Sequence, residues 1–219
     1  MQIVIGNVLS ADEVALVREA LARATFEDGR ETAGFAARLV KNNRQATNDR
    51  KIETVRKLVE ERILGNELFA MAVRPKTLAS VMFSRYEAGM HYGSHVDDAL
   101  MQGMRTDVAF TLFISEPESY DGGELVIESA AGEDEIKLAP GALVAYPATS
   151  LHRVADVRRG ERLAIVGWAR SFIRDASQRE LLFDLDTARR TIFEREGKSR
   201  EFDLLSKSLA NLTRMWAQD

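Results

Sequence analysis

The chain has 219 residues, of which 30 are Lys or Arg and 34 are Asp or Glu, so its formal net charge is −4. This length suits one domain or slightly more, and the acidic balance gives no electrostatic reason to expect a nucleic acid partner. The absence of cysteine excludes disulfides, thiol nucleophiles and Cys-ligated metal sites. With only three histidines in the chain, any transition metal must be held by His and carboxylate side chains.

Targeting signals are not visible in the sequence. The N-terminus has no basic segment ahead of an apolar run, and no stretch approaches the roughly 18 apolar residues of a membrane span. We therefore expect a cytoplasmic protein that has no membrane partner.

The first predicted element is an amphipathic helix. Ser10 and Glu13 have the spacing of a capping box, and the apolar residues that follow recur at spacings of three and four. Residues 36–40 are compatible with a short strand. A second helix is predicted over about residues 49–64, with Gly65 placed to end it.

From Thr77 the pattern changes to short candidate strands separated by turn residues, which predicts an antiparallel sandwich or jelly roll. Beyond Asp175 two helical stripes follow, and the apolar second stripe, which ends at Trp216, favours a homodimer. We therefore predict an α+β fold with a mainly β core: a double-stranded β-helix (jelly roll) at 77–174, an N-terminal helical flank at 1–76 and a C-terminal helical extension at 175–219. The candidate strands cover 78–86, 108–115, 124–128, 134–138, 142–146, 152–157 and 162–171, and the Gly122–Gly123 pair predicts only a tight turn.

The chemistry is indicated first by His95 and Asp97. On an extended chain, residues two apart point to the same side, so the imidazole and the carboxylate can reach one point. His152 offers a second imidazole further along the strand-rich region. Two histidines and one carboxylate on one side of a metal leave open positions, which is the arrangement of non-haem Fe(II) oxygenases.

A fourth candidate is Arg162, which lies inside an otherwise apolar strand. Burying a guanidinium is costly unless an anion meets it, and its planar fork suits a carboxylate. A metal with open positions beside such a residue would suit 2-oxoglutarate. The alternative is an ion pair with Asp107 or Asp156. Because a regular two-residue hairpin would point His152 away from Arg162, we predict an irregularity between Asp156 and Glu161, with Gly160 as the candidate, or a strand that begins only after His152.

These residues lie in segments that resemble a known family. They are similar to the prolyl-4-hydroxylase-type 2-oxoglutarate oxygenases, and more closely to the bacterial PKHD-type hydroxylases. The segments that carry the resemblance are Arg85-Tyr86, Gly89-Met90-His91-Tyr92-Gly93-Ser94-His95-Val96-Asp97, Arg105-Thr106-Asp107, Tyr120-Asp121-Gly122-Gly123-Glu124-Leu125, Tyr146-Pro147, Ser150-Leu151-His152-Arg153-Val154 and Gly160-Glu161-Arg162.

The resemblance extends over the whole chain. It implies an Fe(II)- and 2-oxoglutarate-dependent dioxygenase that hydroxylates its substrate with O2, with iron bound by His95, Asp97 and His152. It also implies that Arg162 binds 2-oxoglutarate, that Tyr86 contacts the same co-substrate, and that L-ascorbate keeps the iron reduced. The substrate is either peptidyl or amino-acid in nature, or a siderophore-related small molecule linked to iron uptake and iron homeostasis.

Two alternatives differ from this interpretation. A cupin-like metal enzyme of another kind would use similar ligands without needing Arg162, and a non-enzymatic jelly-roll ligand-binding module would need neither. Among nearby residues, we expect the third histidine, His91, not to bind the metal, and we expect Trp168 to serve packing. Tyr92 is adjacent to the proposed ligands and could contact substrate or pack. Arg105 and Asp107 are expected to form an ion pair.

Overall fold

The computed structural model, which describes residues 1–218, contains two large antiparallel β-sheets, two two-stranded sheets and five α-helices. The helices are α1 (Ala11–Ala22), α2 (Arg50–Gly65), α3 (Glu67–Val73), α4 (Ala176–Glu196) and α5 (Arg200–Trp216). The first strands are β1 (Ile3–Ile5), β2 (Phe26–Asp28), β3 (Lys41–Asn42), β4 (Arg44–Ala46), β5 (Pro75–Glu87), β6 (His91–His95), β7 (Leu100–Met101) and β8 (Met104–Arg105). They are followed by β9 (Val108–Phe113), β10 (Asp121–Gly122), β11 (Leu125–Ser129), β12 (Gly132–Ile136), β13 (Leu143–Pro147), β14 (His152–Val154), β15 (Val157–Arg159) and β16 (Glu161–Ser171).

The larger sheet has seven strands in the order β1-β13-β9-β16-β5-β4-β2, and the smaller sheet has five in the order β12-β11-β14-β6-β3. Apolar side chains from both sheets pack in one cluster, which includes Phe113 and Val144 of the larger sheet and Leu125 and Ile127 of the smaller. The sheets therefore face each other as a sandwich. The predicted mainly β jelly-roll core with flanking helices is confirmed.

The opposite side of the larger sheet is covered by α1, α2 and α3. Along β5, Val81 and Phe83 pack with these helices, while the alternate residues Met82 and Tyr86 line the interior of the sandwich. This alternation is the two-residue period of a strand buried on both sides. It gives the larger sheet one face for the core and one for a site.

The capping box predicted at the start of the first helix is confirmed. The Ser10 hydroxyl accepts a hydrogen bond from the Glu13 N–H at 3.3 Å, and the Glu13 carboxylate accepts one from the Ser10 N–H at 2.9 Å. The second helix starts after Asp49, whose side chain caps it. The sequence reading missed α3, which begins directly after α2 because the Asn66 side chain accepts from the Phe69 N–H.

The predicted strand at residues 36–40 is wrong, because this segment forms a 3₁₀ helix at Ala37–Leu39. Leu39 is 83% exposed, so its apolar side chain does not mark a buried strand face. Pairing begins only at β3, which lies against β6. The other candidate strands are found with small shifts, except that the one predicted over 152–157 is divided into β14 and β15.

The C-terminal region is helical as predicted, with Leu182 and Leu209 packed around Ile173. Arg74 contacts Asp186 at 3.1 Å and links α4 to the residue that ends α3. Within the described residues no helix is long and apolar enough to cross a membrane. The domain boundaries at 76 and 174, the homodimer and the cytoplasmic location stay predictions.

Candidate active site

The register of the smaller sheet brings the two histidines together. His95 ends β6, and its Cα partner across the ladder is His152, the first residue of β14. Asp97 follows His95 by two residues and turns its carboxylate toward both rings. The Asp97 Oδ1 atom lies 4.0 Å from His95 Nε2 and 3.8 Å from His152 Nε2. Two ligand atoms that share one metal at roughly 2.1 Å each can be no more than about 4.2 Å apart, so both spacings are within the reach of one ion.

Backbone carbonyls fix the orientation of both imidazoles. His95 Nδ1 lies 2.9 Å from the Gly93 carbonyl oxygen, and His152 Nδ1 lies 3.1 Å from that of Ser150. A carbonyl only accepts, so each Nδ1 carries the proton and donates. Each Nε2 therefore keeps a free lone pair directed toward Asp97, which is the usual arrangement of metal-binding histidines.

Burial dominates the electrostatics of these groups. It lowers the pKa of His95 to about 3, with a further contribution from the nearby His152. Burial likewise raises the pKa of Asp97, against the opposing influence of His152. Both shifts disfavour the charged forms, and a divalent cation held between the groups would offset the cost of burying the carboxylate.

Aromatic rings enclose the three side chains. Tyr92 stacks on His95 with a centroid distance of 3.6 Å, and Tyr146 meets His152 edge-on at 5.2 Å. The Trp168 indole N–H lies near the Asp97 carboxylate without reaching hydrogen-bond geometry. Trp168 thus packs as predicted, but against the site. Sequence reasoning placed Tyr146 only in a segment that carries the family resemblance and gave it no role in the site, since an apolar strand gives no sign of which face carries the site.

His91 lies outside the group of ligating atoms formed by His95, Asp97 and His152. Its Nδ1 is instead 3.0 Å from Asp156 Oδ1, at a half-exposed position. The third histidine therefore has a carboxylate neighbour of its own.

Arg162 is the most deeply buried charged side chain near the site, with 1% of its surface exposed. None of its three guanidinium nitrogens has a hydrogen-bond partner among residues 1–218. The guanidinium carbon lies 5.1 Å from the Tyr86 ring and 5.5 Å from the Phe113 ring, and the Tyr120 hydroxyl is close but not hydrogen-bonded. Ring contacts stabilise a cation only in part, so this guanidinium is poised for an anion.

The alternative partners of Arg162 are engaged elsewhere. Asp107 accepts from Arg105 Nε at 2.7 Å, as predicted for that pair, and from the Ser171 N–H at 2.8 Å. Asp156 is 74% exposed and lies beside His91. Neither carboxylate forms an ion pair with Arg162 in the described part of the chain.

The chain between His152 and Arg162 does not form a hairpin. β14 belongs to the smaller sheet, β15 pairs with β10, and β16 belongs to the larger sheet. The chain enters β16 through Gly160, which has a φ of +80°, a conformation that favours glycine. The chain therefore crosses from one sheet to the other between these residues, at the place where an irregularity was predicted. As a result, His152 and Arg162 line the same cavity.

This cavity has a volume of about 410 Å³ and lies between the two sheets. It is lined by His95, Asp97, His152, Arg162 and Tyr86, the five predicted site residues. Burial raises the pKa of Tyr86, which keeps its phenol neutral.

Sequence reasoning missed a second wall of the cavity. Lys41, Asn43 and Gln45 line it from β3, β4 and the residue between them. We call these three residues the polar strip. Their spacing of two along an extended chain could have indicated a shared face, but β3 and β4 are too short for the pattern to stand out.

The central part of the chain, residues 81–170, matches the 2OG-Fe(II) oxygenase superfamily. A relative from Crocosphaera subtropica, described as a PKHD-type hydroxylase, is 51% identical over 221 residues, which cover 99% of this chain and all of that protein. Another relative described as a PKHD-type hydroxylase, from Synechococcus sp. (strain JA-3-3Ab), is 54% identical over 226 residues, and the match covers all of this chain and all of that protein. The chain belongs to the PKHD-type hydroxylases, and hence to the 2-oxoglutarate-dependent dioxygenases.

The fold is also similar to that of a solved structure, a Pseudomonas putida prolyl-4-hydroxylase. The TM-score is 0.55 at 22% sequence identity, over 78% of this chain and 92% of that one. This likeness supports the jelly-roll architecture.

Proposed function

We propose that His95, Asp97 and His152 hold Fe(II), that Arg162 and Tyr86 bind 2-oxoglutarate, and that the enzyme hydroxylates a C–H bond of its substrate. Iron, 2-oxoglutarate and O2 together supply the oxidation, with succinate and CO2 as co-products. The three side chains fit a divalent cation, because both Nε2 atoms carry free lone pairs and the Asp97 Oδ2 atom has no partner within residues 1–218. Imidazole and carboxylate ligands of this kind suit Fe(II).

The observation that carries the proposal is the unpaired guanidinium of Arg162. Leaving a buried charge without a partner costs ~3–5 kcal/mol of folding stability. Because the protein supplies no anion for Arg162, we expect a ligand to supply one. 2-Oxoglutarate has one carboxylate for this guanidinium and a keto acid end for the metal. Tyr86 lies directly opposite Arg162 in the β5–β16 ladder and forms the neighbouring wall.

Protein atoms shield the three metal-binding side chains from bulk solvent. The His95, Asp97 and His152 side chains are only 7%, 5% and 7% exposed. In an environment of such low exposure, charge interactions between the co-substrate and the protein are stronger than in bulk water.

For the primary substrate, two classes follow from the family resemblance: an amino-acid or peptidyl substrate, and a siderophore-related small molecule with a role in iron uptake. The use of L-ascorbate and the link to iron homeostasis stay predictions. The cavity volume is within the ~300–1,000 Å³ of small-molecule sites, which accommodates a small molecule or a single side chain.

The test is anaerobic addition of Fe(II) and 2-oxoglutarate to the purified protein. We expect a weak visible charge-transfer band that is lost in His95→Ala and that requires a much higher 2-oxoglutarate concentration in Arg162→Ala. The matched controls are His91→Ala, which changes the histidine outside the triad, and Arg158→Ala, which changes an exposed arginine. Both should retain the band.

Two results would contradict the proposal. If iron binds and no band forms with 2-oxoglutarate, the co-substrate assignment is wrong. If Arg162→Ala retains wild-type affinity for 2-oxoglutarate and full activity, a metal enzyme of another kind accounts better for the site. Succinate release without added substrate then provides a background rate for substrate screening.

A further inference from the structure

A second buried cation lines the same cavity. Lys41 is 6% exposed, and its ammonium group donates to the Thr32 hydroxyl at 3.1 Å and lies 5.0 Å from the centre of the Tyr92 ring. No carboxylate forms an ion pair with it in the part of the chain that the structure covers. An ammonium group has three N–H donors, so one neutral acceptor leaves most of its hydrogen-bonding capacity unused.

Beside it, Asn43 has an amide that is also unused. Its side chain is 3% exposed, and neither its oxygen nor its nitrogen has a hydrogen-bond partner among the described residues. The amide lies near the Tyr86 phenol without reaching hydrogen-bond geometry. A buried amide that is left unsatisfied costs about 1–3 kcal/mol, so a ligand is the natural partner here too.

The backbone is built to hold this amide in place. The Gly29 N–H donates to the backbone carbonyl of Asn43 at 2.9 Å. A Cβ on Gly29 would lie only 1.9 Å from the side-chain oxygen of Asn43, Oδ1. A glycine at position 29 therefore makes room for the Asn43 side chain. The arrangement indicates a shaped site rather than a loose surface.

Lys41 and Arg162 serve different parts of the cavity. Lys41 lies over Tyr92, which stacks on His95, and its charge acts on Asp97. Arg162 instead lies between Tyr86 and Phe113. In the proposed function, 2-oxoglutarate uses one carboxylate at the metal and the other at Arg162, so none remains for Lys41.

We propose that the primary substrate carries a carboxylate, which pairs with the Lys41 ammonium group and accepts a hydrogen bond from the Asn43 amide in the same cavity. This inference rests on the proposed function. It narrows the substrate to a molecule with a free acid group.

The test measures binding of a simple acid to the protein loaded anaerobically with Mn(II) and saturating 2-oxoglutarate. The probe is propionate, with propionamide as its uncharged counterpart, and binding is followed by calorimetry. We expect propionate to bind the wild type and propionamide not to bind. Lys41→Met should weaken propionate binding at least fivefold, while Lys41→Arg retains it, and Lys57→Met is the control because Lys57 is exposed on α2.

A second titration separates this inference from the proposed function. Lys41→Met should bind 2-oxoglutarate as the wild type does, whereas Arg162→Ala should not. Failure of the wild type to bind 2-oxoglutarate would overturn the proposed function itself. With that binding intact, the inference is wrong if the wild type does not bind propionate, if Lys41→Met binds propionate normally, or if Lys41→Met loses 2-oxoglutarate affinity as Arg162→Ala does. If Lys41→Met does not fold, Lys41→Gln takes its place.

Discussion

The position of Arg162 depends on a glycine on a neighbouring loop. Gly123 has a φ of +67°, and a Cβ at this residue would lie 3.0 Å from Arg162 Cδ and 3.0 Å from Val157 Cγ2. Replacing Gly123 by Ala thus has two costs. The left-handed backbone costs about 1–2 kcal/mol for a residue with a Cβ, and crowding in a packed interior costs roughly another 1–3 kcal/mol. Because one of the crowded atoms is Arg162 Cδ, we expect part of the crowding to be relieved by displacement of the Arg162 side chain.

Gly89→Ala is the matched control. Gly89 also has a positive φ, +85°, but a Cβ there would meet nothing within 4 Å. It therefore carries the backbone cost without the contact. The difference between the two variants isolates the effect of crowding against Arg162, Val157 and Tyr120, and 2-oxoglutarate affinity reports the part that reaches Arg162.

We expect Gly123→Ala to unfold at lower denaturant than Gly89→Ala and to bind 2-oxoglutarate about tenfold more weakly, which corresponds to roughly 1.4 kcal/mol. Metal binding should be the same in both, because the atoms nearest a Cβ at Gly123 belong to Arg162, Val157 and Tyr120 and not to the metal-binding side chains. Denaturation curves and anaerobic 2-oxoglutarate titrations provide the two measurements. Equal 2-oxoglutarate affinity in the two alanine variants would refute the reasoning that Gly123 positions Arg162.

Three further predictions concern stability. Ser10→Ala removes one side of the capping box and should lower the unfolding free energy by about 1 kcal/mol in denaturant titrations, with Ser208→Ala, at an exposed position within α5, as a comparison that should lose less. Asp107→Ala leaves Arg105 without its partner and should cost about 3 kcal/mol, measured in the same way; a loss below 1 kcal/mol would mean that solvent replaces the carboxylate. In the metal-free protein, burial lowers the pKa of Lys41 from 10.5 to about 8. The unfolded chain then binds more protons between these pH values, so wild-type stability should rise from pH 8 to 10.5 relative to Lys41→Met, and parallel profiles for the two proteins would contradict this.

The sequence was sufficient to predict the jelly-roll core and to nominate His95, Asp97, His152 and Arg162, because these follow from local patterns, whereas Tyr86 was nominated only through the family resemblance. The pair at His95 and Asp97 needs only an extended chain, and Arg162 stands out as a charge in an apolar strand. The same reasoning excluded a regular hairpin between His152 and Arg162, since a strand period of two would have separated them. It could not show that the chain would instead cross between sheets.

The polar strip could not be predicted for a different reason. Lys41 lies on β3, a strand of only two residues. This strand pairs with β6, which lies about fifty residues further along the chain. So short a strand has no periodicity to read, and long-range pairing leaves no local signal. Gly123 illustrates the same limit, because its proximity to Arg162 exists only in the folded protein.

The two sheets contribute different residues to the site, and this explains how the parts of the site fit together. The two histidines belong to the smaller sheet, and Arg162 and Tyr86 belong to the larger. Facing sheets lie about 10 Å apart, so a metal held on one sheet and a guanidinium on the other define a gap of fixed width. A ligand that contacts both must span this gap, and its length is set by the sandwich rather than by any one side chain. Lys41 reaches the cavity from β3, at the edge of the smaller sheet. From this position it can contact the primary substrate while 2-oxoglutarate spans the distance between the two sheets.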